Sequence, residues 1–188
     1  KDWNQFWLVD PLDGTKEFVK KNGEFTVNIA LIENGLPVYG IIYAPVLKKL
    51  FVGNVWNEAW IAENIETSST VDFVLEQKIS IPKSKCAEPY IVVASRSHFS
   101  PETQEFVDEM KKEKGEIDFA SMGSSLKICL VAEGVADIYP RFGPTMEWDT
   151  GAGHAIAKAA GKMVTDHSTG KEMRYNKENL LNNWFIVE

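Results

Sequence analysis

Alternating strand-like segments fill residues 25–62, and this pattern restricts the first half of the chain to an antiparallel sheet. Asn34-Gly35 separates the apolar runs 27–33 and 36–43, and this dipeptide favours the tight two-residue turn of a β-hairpin. Residues 63–89 carry Ser, Thr, charged residues and two prolines, which is typical of an irregular connection. Residues 25–62 are therefore predicted to form an antiparallel meander.

Beyond residue 90 the rhythm changes to strands alternating with helices. Ser100-Pro101 opens a helix that ends at Gly115, because Ser caps a helix, Pro suits its first turn and Gly ends it. Another helix is predicted over 124–133 and one more after Asp149, with strands near 90–94, 117–120, 136–139 and 163–164. This order predicts an α/β fold with a mixed sheet, divided into a first part at residues 1–85 and an α/β part at 86–188.

Composition narrows the function classes. The chain has 188 residues, of which 44% are hydrophobic, enough to bury a core. We expect four of its six tryptophans to fill that core or the contacts between its parts: Trp3, Trp7, Trp56 and Trp60. The net charge of −7 argues against nucleic-acid binding, which favours a basic face. The apolar runs are far shorter than the roughly 20 residues of a membrane span. Cys86 and Cys129 form neither a disulfide framework nor a zinc spacing, so we expect reduced thiols.

The motif Asp10-Pro11-Leu12-Asp13-Gly14-Thr15 places two carboxylates and a hydroxyl on one sharp turn. The apolar run 6–9 before it predicts a buried strand that Pro11 ends, and Gly14 allows backbone angles closed to other residues. Thr15 starts a helix whose free N–H groups favour an anion. Carboxylate oxygens suit Mg²⁺ completed by substrate phosphate. Without further information, turn hydrogen bonds and helix capping explain these aspartates equally well.

A second segment, residues 143–153, contains Trp148-Asp149 ahead of small apolar positions at helical spacing. Asp149 is then either a site residue or an ordinary helix N-cap. Ser124 and Lys127 lie three positions apart near a predicted helix start, so both can face one phosphate, and Arg141 can do the same. The alternatives are a solvated Lys127, and an Arg141 paired with a surface acid.

Both segments resemble signatures of the inositol monophosphatase superfamily of Mg²⁺-dependent, Li⁺-sensitive phosphatases, and all six positions of the first motif match. Within that superfamily, four further segments resemble the 3'(2'),5'-bisphosphate nucleotidases of the CysQ type: Lys16-Glu17-Phe18, Ser95-Arg96-Ser97-His98, Gly123-Ser124-Ser125-Leu126-Lys127 and Ala132-Glu133-Gly134. The resemblance implies a layered α/β sandwich of the inositol monophosphatase and fructose-bisphosphatase type. It also implies hydrolysis of 3'-phosphoadenosine 5'-phosphate to AMP.

The resemblance further implies which residues carry that reaction. Two or three Mg²⁺ ions would be held by Asp10, the carbonyl of Leu12, Asp13 and Asp149, and Thr15 would act with Asp10 and Asp13 in catalysis on water. The expected substrate-binding residues are Asp13, Gly14, Thr15, His98, Ser124, Lys127, Arg141 and Asp149. His98 can alternatively cap the following helix.

Family members also carry an upstream region with a metal-binding Glu, so the resemblance implies that this chain lacks an N-terminal part. Two alternatives therefore stay open: an inositol or other sugar-phosphate phosphatase, and a nucleotide-binding fragment with an incomplete metal site. The resemblance implies a role in sulfur metabolism and a cytoplasmic protein, either free or peripheral at the inner membrane, as a monomer or a homodimer. A small phosphorylated nucleotide is the expected partner, without nucleic acid or integral membrane association.

Overall fold

The computed structural model describes residues 3–83, 89–94 and 100–188. Its first half is a six-stranded antiparallel sheet whose strands pair in chain order: β1 (Gln5–Asp13), β2 (Thr26–Glu33), β3 (Leu36–Ala44), β4 (Lys49–Asn54), β5 (Ala59–Ala62) and β6 (Ile79–Ile81). The helix α1 (Thr15–Lys20) follows β1, and α2 (Val71–Glu76) precedes β6. Asn34 and Gly35 join β2 to β3 with positive φ angles of 52° and 76°. The antiparallel meander is thus confirmed.

The second half alternates strands and helices in this order: β7 (Tyr90–Val93), α3 (Pro101–Lys114), β8 (Ile117–Ala120), α4 (Leu126–Glu133), β9 (Tyr139–Arg141), α5 (Glu147–Ala159), β10 (Val164–Asp166), β11 (Lys171–Glu172) and β12 (Phe185–Val187). β7 and β8 are parallel, whereas β9, β12, β10 and β11 pair antiparallel in that spatial order. A parallel bridge between Val92 and Ile138 links the two groups. The predicted mixed sheet is therefore present.

The helices α4 and α5 lie between the six-stranded sheet and the mixed sheet, and the main hydrophobic core fills this layer. α5 approaches the first sheet closely, because a Cβ at Gly53 would lie 2.4 Å from the Cα of Ile156. A smaller core cluster around Val92, Val107 and Ile138 joins the mixed sheet to α3. The result is a layered α/β sandwich in which α5 runs through the centre.

The prediction of a buried first strand that stops at Pro11 is wrong. β1 is the edge strand in the described part of the sheet and continues to Asp13, with a register shift between Asp10 and Asp13. Its burial alternates, so that Trp7 is 60% exposed while Leu8 packs against the core. A short apolar run cannot distinguish a strand buried on both faces from one buried on a single face, and an edge position tolerates a proline.

Other local expectations also need correction. Trp3 and Trp56 are, like Trp7, more than half exposed, so the core assignment is wrong for these tryptophans. The connection 63–89 contains α2, which Thr70 caps by accepting a hydrogen bond from the Phe73 N–H, and the paired strand β6. The predicted boundary between residues 85 and 86 lies outside the described residues. Within the described ranges no helix combines the length and apolar character that a membrane span requires.

Candidate metal and phosphate site

The end of β1 and the first turn of α5 bring three aspartates together. One carboxylate oxygen from each of Asp10, Asp13 and Asp149 lies within 4.8 Å of the others, and all three residues are partly buried. Asp149 is not the N-cap of α5, because the helix begins at Glu147 after the cap residue Met146. The two motifs are far apart in the sequence, and the packing of α5 on the first sheet brings them together.

The irregular end of β1 that carries the first two carboxylates is held by local hydrogen bonds. The Leu12 N–H donates to Asp10 Oδ1 over 3.0 Å, which fixes the Asp10 side chain. Gly14 has a φ of +84°, and a Cβ there would lie 3.0 Å from the Cβ of Ser124, so both the backbone angle and the close approach favour glycine. The Phe18 N–H then donates to the Gly14 carbonyl over 2.9 Å and starts α1.

Asp13 is held by donors that the sequence did not reveal. Its Oδ2 accepts hydrogen bonds from the Ser125 N–H at 2.6 Å and Asn28 Nδ2 at 3.2 Å, and Thr26 Oγ1 lies 3.4 Å away. Burial raises the pKa of Asp13, while the bonds from Ser125 and Asn28 oppose that rise. The sequence signal was weak, since two polar residues at alternate positions of a strand usually indicate its solvent face.

Asp149 is held less tightly. Its Oδ2 accepts a hydrogen bond from the Met146 N–H over 2.7 Å. Burial, followed by the negative charges of Asp13 and Asp10, raises the pKa of Asp149 to about 6. A divalent cation among the three carboxylates would offset both effects. The donor set consists of hard oxygen atoms, and this set fits Mg²⁺ and related hard cations.

A cavity of about 280 Å³ opens beside this cluster. Asp13 and Asp149 line it together with Ser124, Lys127 and Arg141, so acidic and basic groups share one space. The Lys127 ammonium donates to the Ser124 carbonyl over 3.1 Å, and Arg141 Nη2 donates to the Pro144 carbonyl over 3.2 Å. Burial and the neighbouring Arg141 lower the pKa of Lys127.

The cationic groups retain capacity for an anion. Within the described ranges neither Lys127 nor Arg141 forms an ion pair, contrary to the alternative that Arg141 pairs with a surface acid. Arg141 Nε is also buried without a hydrogen-bond partner, the one such side-chain nitrogen or oxygen in the described part of the chain. A phosphate oxygen in the cavity would supply the missing acceptor.

The structure brings most predicted site residues to this cavity. Gly14 also lines it, whereas Leu12 lies near the end of β1 and Thr15 is the exposed first residue of α1. Ser124 precedes α4 with a positive φ of 47° and is not part of the helix. His98 lies outside the described residues. The individual roles of these residues in metal and substrate binding stay predictions.

A sequence profile described as the inositol monophosphatase family matches residues 1–185. The chain belongs to the inositol monophosphatase family. It is 50% identical over 189 aligned residues to the 3'(2'),5'-bisphosphate nucleotidase CysQ of Salmonella typhimurium, an alignment that covers 98% of this chain and 68% of that protein. The protein of the same name from Escherichia coli is 47% identical with the same coverage.

Solved structures agree with this assignment. The crystal structure of CysQ from Bacteroides thetaiotaomicron, a bacterial member of the family, superposes with a TM-score of 0.91 at 52% identity, over all of this chain and 70% of that one. An inositol monophosphatase from Zymomonas mobilis gives a TM-score of 0.73 at 23% identity, over 100% of this chain and 66% of that one, which supports the fold. The predicted family and the inositol monophosphatase-type α/β fold are therefore confirmed.

Proposed function

We propose that this chain is a Mg²⁺-dependent phosphomonoesterase that hydrolyses 3'-phosphoadenosine 5'-phosphate to AMP and phosphate. The observation that carries the proposal is the shared cavity, in which Asp13 and Asp149 face the same space as Lys127 and Arg141. A phosphate ester there meets a cation site on one side and guanidinium and ammonium donors on the other. The relatives with 47–50% identity are named bisphosphate nucleotidases, which favours a nucleotide with two phosphate groups.

Asp10, Asp13 and Asp149 would hold the Mg²⁺ ions, with the Leu12 carbonyl as a further oxygen ligand. Bound Mg²⁺ supplies acidification of a water molecule and stabilisation of the leaving oxygen. The chain's own residues would orient the reactants: Thr15 Oγ1 would accept a hydrogen bond from the attacking water and direct the water's lone pair towards phosphorus. Water is the nucleophile, so no covalent link to a side chain forms.

Substrate binding is assigned to the basic side of the cavity. Lys127 and the unpartnered Nε of Arg141 would donate to phosphate oxygens, and Ser124 adds a hydroxyl donor. Partial burial of Lys127 strengthens its attraction for a phosphate, because charges interact more strongly where water is excluded. Glycine at position 14 lets the substrate approach the backbone at the start of α1.

The test is phosphate release by this chain from 3'-phosphoadenosine 5'-phosphate and from inositol 1-phosphate, each with and without Mg²⁺ and Li⁺. We expect Mg²⁺-dependent, Li⁺-inhibited release from the nucleotide. Asp13→Asn should abolish turnover with little unfolding, since an amide oxygen can still accept the bond from the Ser125 N–H. Asp72→Asn, at an exposed position of α2, is the matched control and should keep full activity.

Other outcomes would overturn the proposal. Release from inositol 1-phosphate alone would assign a sugar-phosphate phosphatase. Nucleotide binding without turnover, measured by calorimetry on the same preparation, would assign a binding fragment with an incomplete metal site. Normal Mg²⁺-dependent rates in Asp13→Asn would refute the assigned metal site.

A further inference from the structure

Three buried polar side chains surround Asp13. Thr26, Asn28 and Ser125 are only 0%, 1% and 4% exposed. Thr26 and Asn28 lie on the inward face of β2, where the next inward residues, Ala30 and Ile32, are apolar. Buried polar groups destabilise a core unless they are hydrogen-bonded, so the partners of these three side chains matter.

The hydrogen bonds of this cluster run in one direction. A carboxylate only accepts, so the Asn28 amide must turn its Nδ2 to Asp13 Oδ2, 3.2 Å away. Asn28 Oδ1 then faces Ser125 Oγ at 2.9 Å and accepts its proton. Thr26 Oγ1, 2.9 Å from Ser125 Oγ, donates in turn to the serine hydroxyl. The chain Thr26, Ser125, Asn28, Asp13 therefore has a single sense of donation.

We propose that Thr26, Ser125 and Asn28 are positioning residues, which hold the Asp13 carboxylate by this directed hydrogen-bond chain in the orientation that binds the metal ion. The inference rests on the metal site of the proposed function. Its consequence is that Asp13 Oδ2 is occupied by protein donors, while Oδ1 is left for the cation.

The hydrogen-bond chain is needed because the three carboxylates carry like charges. Three carboxylates within 4.8 Å of one another repel when no cation is bound, and Asp13 would lower that repulsion by rotating away. The Ser125 N–H and the Asn28 amide oppose this rotation from the protein side. Outer-shell partners of metal ligands typically change metal affinity by about 10–100-fold when they are removed.

The test is Mn²⁺ binding to the chain, measured by electron paramagnetic resonance of the free ion and by competition with Mg²⁺, without substrate. We expect about 10–100-fold weaker binding for Asn28→Ala. Ser125→Ala keeps the backbone N–H but releases the Asn28 amide, and should weaken binding by a smaller factor of about 3–10. Because Ser125 acts through Asn28, the double variant should bind no more weakly than Asn28→Ala alone.

Two controls separate positioning from general destabilisation. Thr26→Val keeps the shape of the side chain but removes the first donor of the hydrogen-bond chain, and should weaken Mn²⁺ binding. Thr26→Ser keeps the hydroxyl donor and should bind Mn²⁺ as the unsubstituted chain does. Val164→Ala removes core volume from β10 at a residue that does not line the cavity, and should lower the urea midpoint without changing Mn²⁺ affinity.

The outcomes distinguish the inference from the proposed function. Unchanged Mn²⁺ affinity in Asn28→Ala, or additive losses in the double variant, would refute the hydrogen-bond chain while leaving the metal site intact. An equal loss of Mn²⁺ affinity in Val164→Ala would also refute it, since metal affinity would then follow the stability of the fold. Failure of the unsubstituted chain to bind Mn²⁺ would refute the metal site itself and this inference with it.

Discussion

Replacing Glu147 with Gln tests how the start of α5, and with it Asp149, is anchored. Glu147 is 1% exposed, and each of its oxygens accepts a backbone hydrogen bond. Oε2 accepts the Asn176 N–H at 2.9 Å, and Oε1 accepts the Lys177 N–H at 3.0 Å. The Lys177 ammonium lies 2.7 Å from the same Oε1. One carboxylate therefore ties the first turn of α5 to the loop after β11.

The expected loss of stability follows from the hydrogen bonds that a glutamine side chain can accept. Its single amide oxygen can accept only one of the two N–H groups, and its NH₂ group would face the other donor. One part-buried N–H then loses its acceptor, which costs about 1–3 kcal/mol. The Lys177 side chain is 32% exposed, so its ammonium can turn to water and adds only about 0–1 kcal/mol. The expected loss is roughly 1–4 kcal/mol of unfolding free energy.

The assay is urea unfolding followed by the fluorescence of the six tryptophans. Glu66→Gln is the matched control, because Glu66 and its partner Lys48 are exposed, and we expect no resolvable change there. A loss below about 1 kcal/mol in Glu147→Gln would be smaller than the loss of one hydrogen-bond acceptor requires, and would refute the anchoring role. A loss of stability in the control equal to that in Glu147→Gln would refute it as well.

Two further substitutions test the packing of α5 and its polar neighbours. Gly53→Ala would place a Cβ 2.4 Å from the Cα of Ile156, and because backbone cannot yield as a side chain does, we expect a loss of about 3 kcal/mol or more by urea unfolding; an unchanged midpoint would contradict the close approach. Donation from His154, then from Lys158, lowers the pKa of Glu172 to about 2 from its ordinary 4.5. Its charge thus contributes stability above pH 4.5 that is lost as the pH falls towards 2. Glu172→Gln should lower stability at pH 7 by about 1 kcal/mol after solvent screening of this partly exposed group, and the difference from the unsubstituted chain should disappear near pH 2; a difference independent of pH would contradict the assignment.

Local sequence patterns predicted much of the fold. Asn34-Gly35 placed the hairpin between β2 and β3, and Ser100-Pro101 with Gly115 bounded α3 as the structure has it. β8 was predicted at its observed bounds. Each of these signals depends on a few consecutive residues, whose turn, capping or alternation preferences act without distant partners.

Patterns that depend on distant partners were not predictable. β11 and β12 were missed, because a strand of two or three residues is defined mainly by its neighbours, such as the pairing of Phe185 with Arg141. The exposure of Trp7 also escaped prediction, since an apolar run does not state which of its faces the rest of the chain covers. The position of His98 and the boundary at residue 85 remain predictions.

The sequence by itself determined the family, the chemical character of the site and the order of its parts, because Asp10, Asp13 and Asp149 lie in short motifs with their own turn and helix signals. Only the tertiary structure decided that these carboxylates meet, since their approach depends on α5 packing against Gly40 and Gly53 of the first sheet. It also decided that Asn28 and its neighbours hold Asp13, because hydrogen bonds between residues about 100 positions apart leave no periodic signal in the chain.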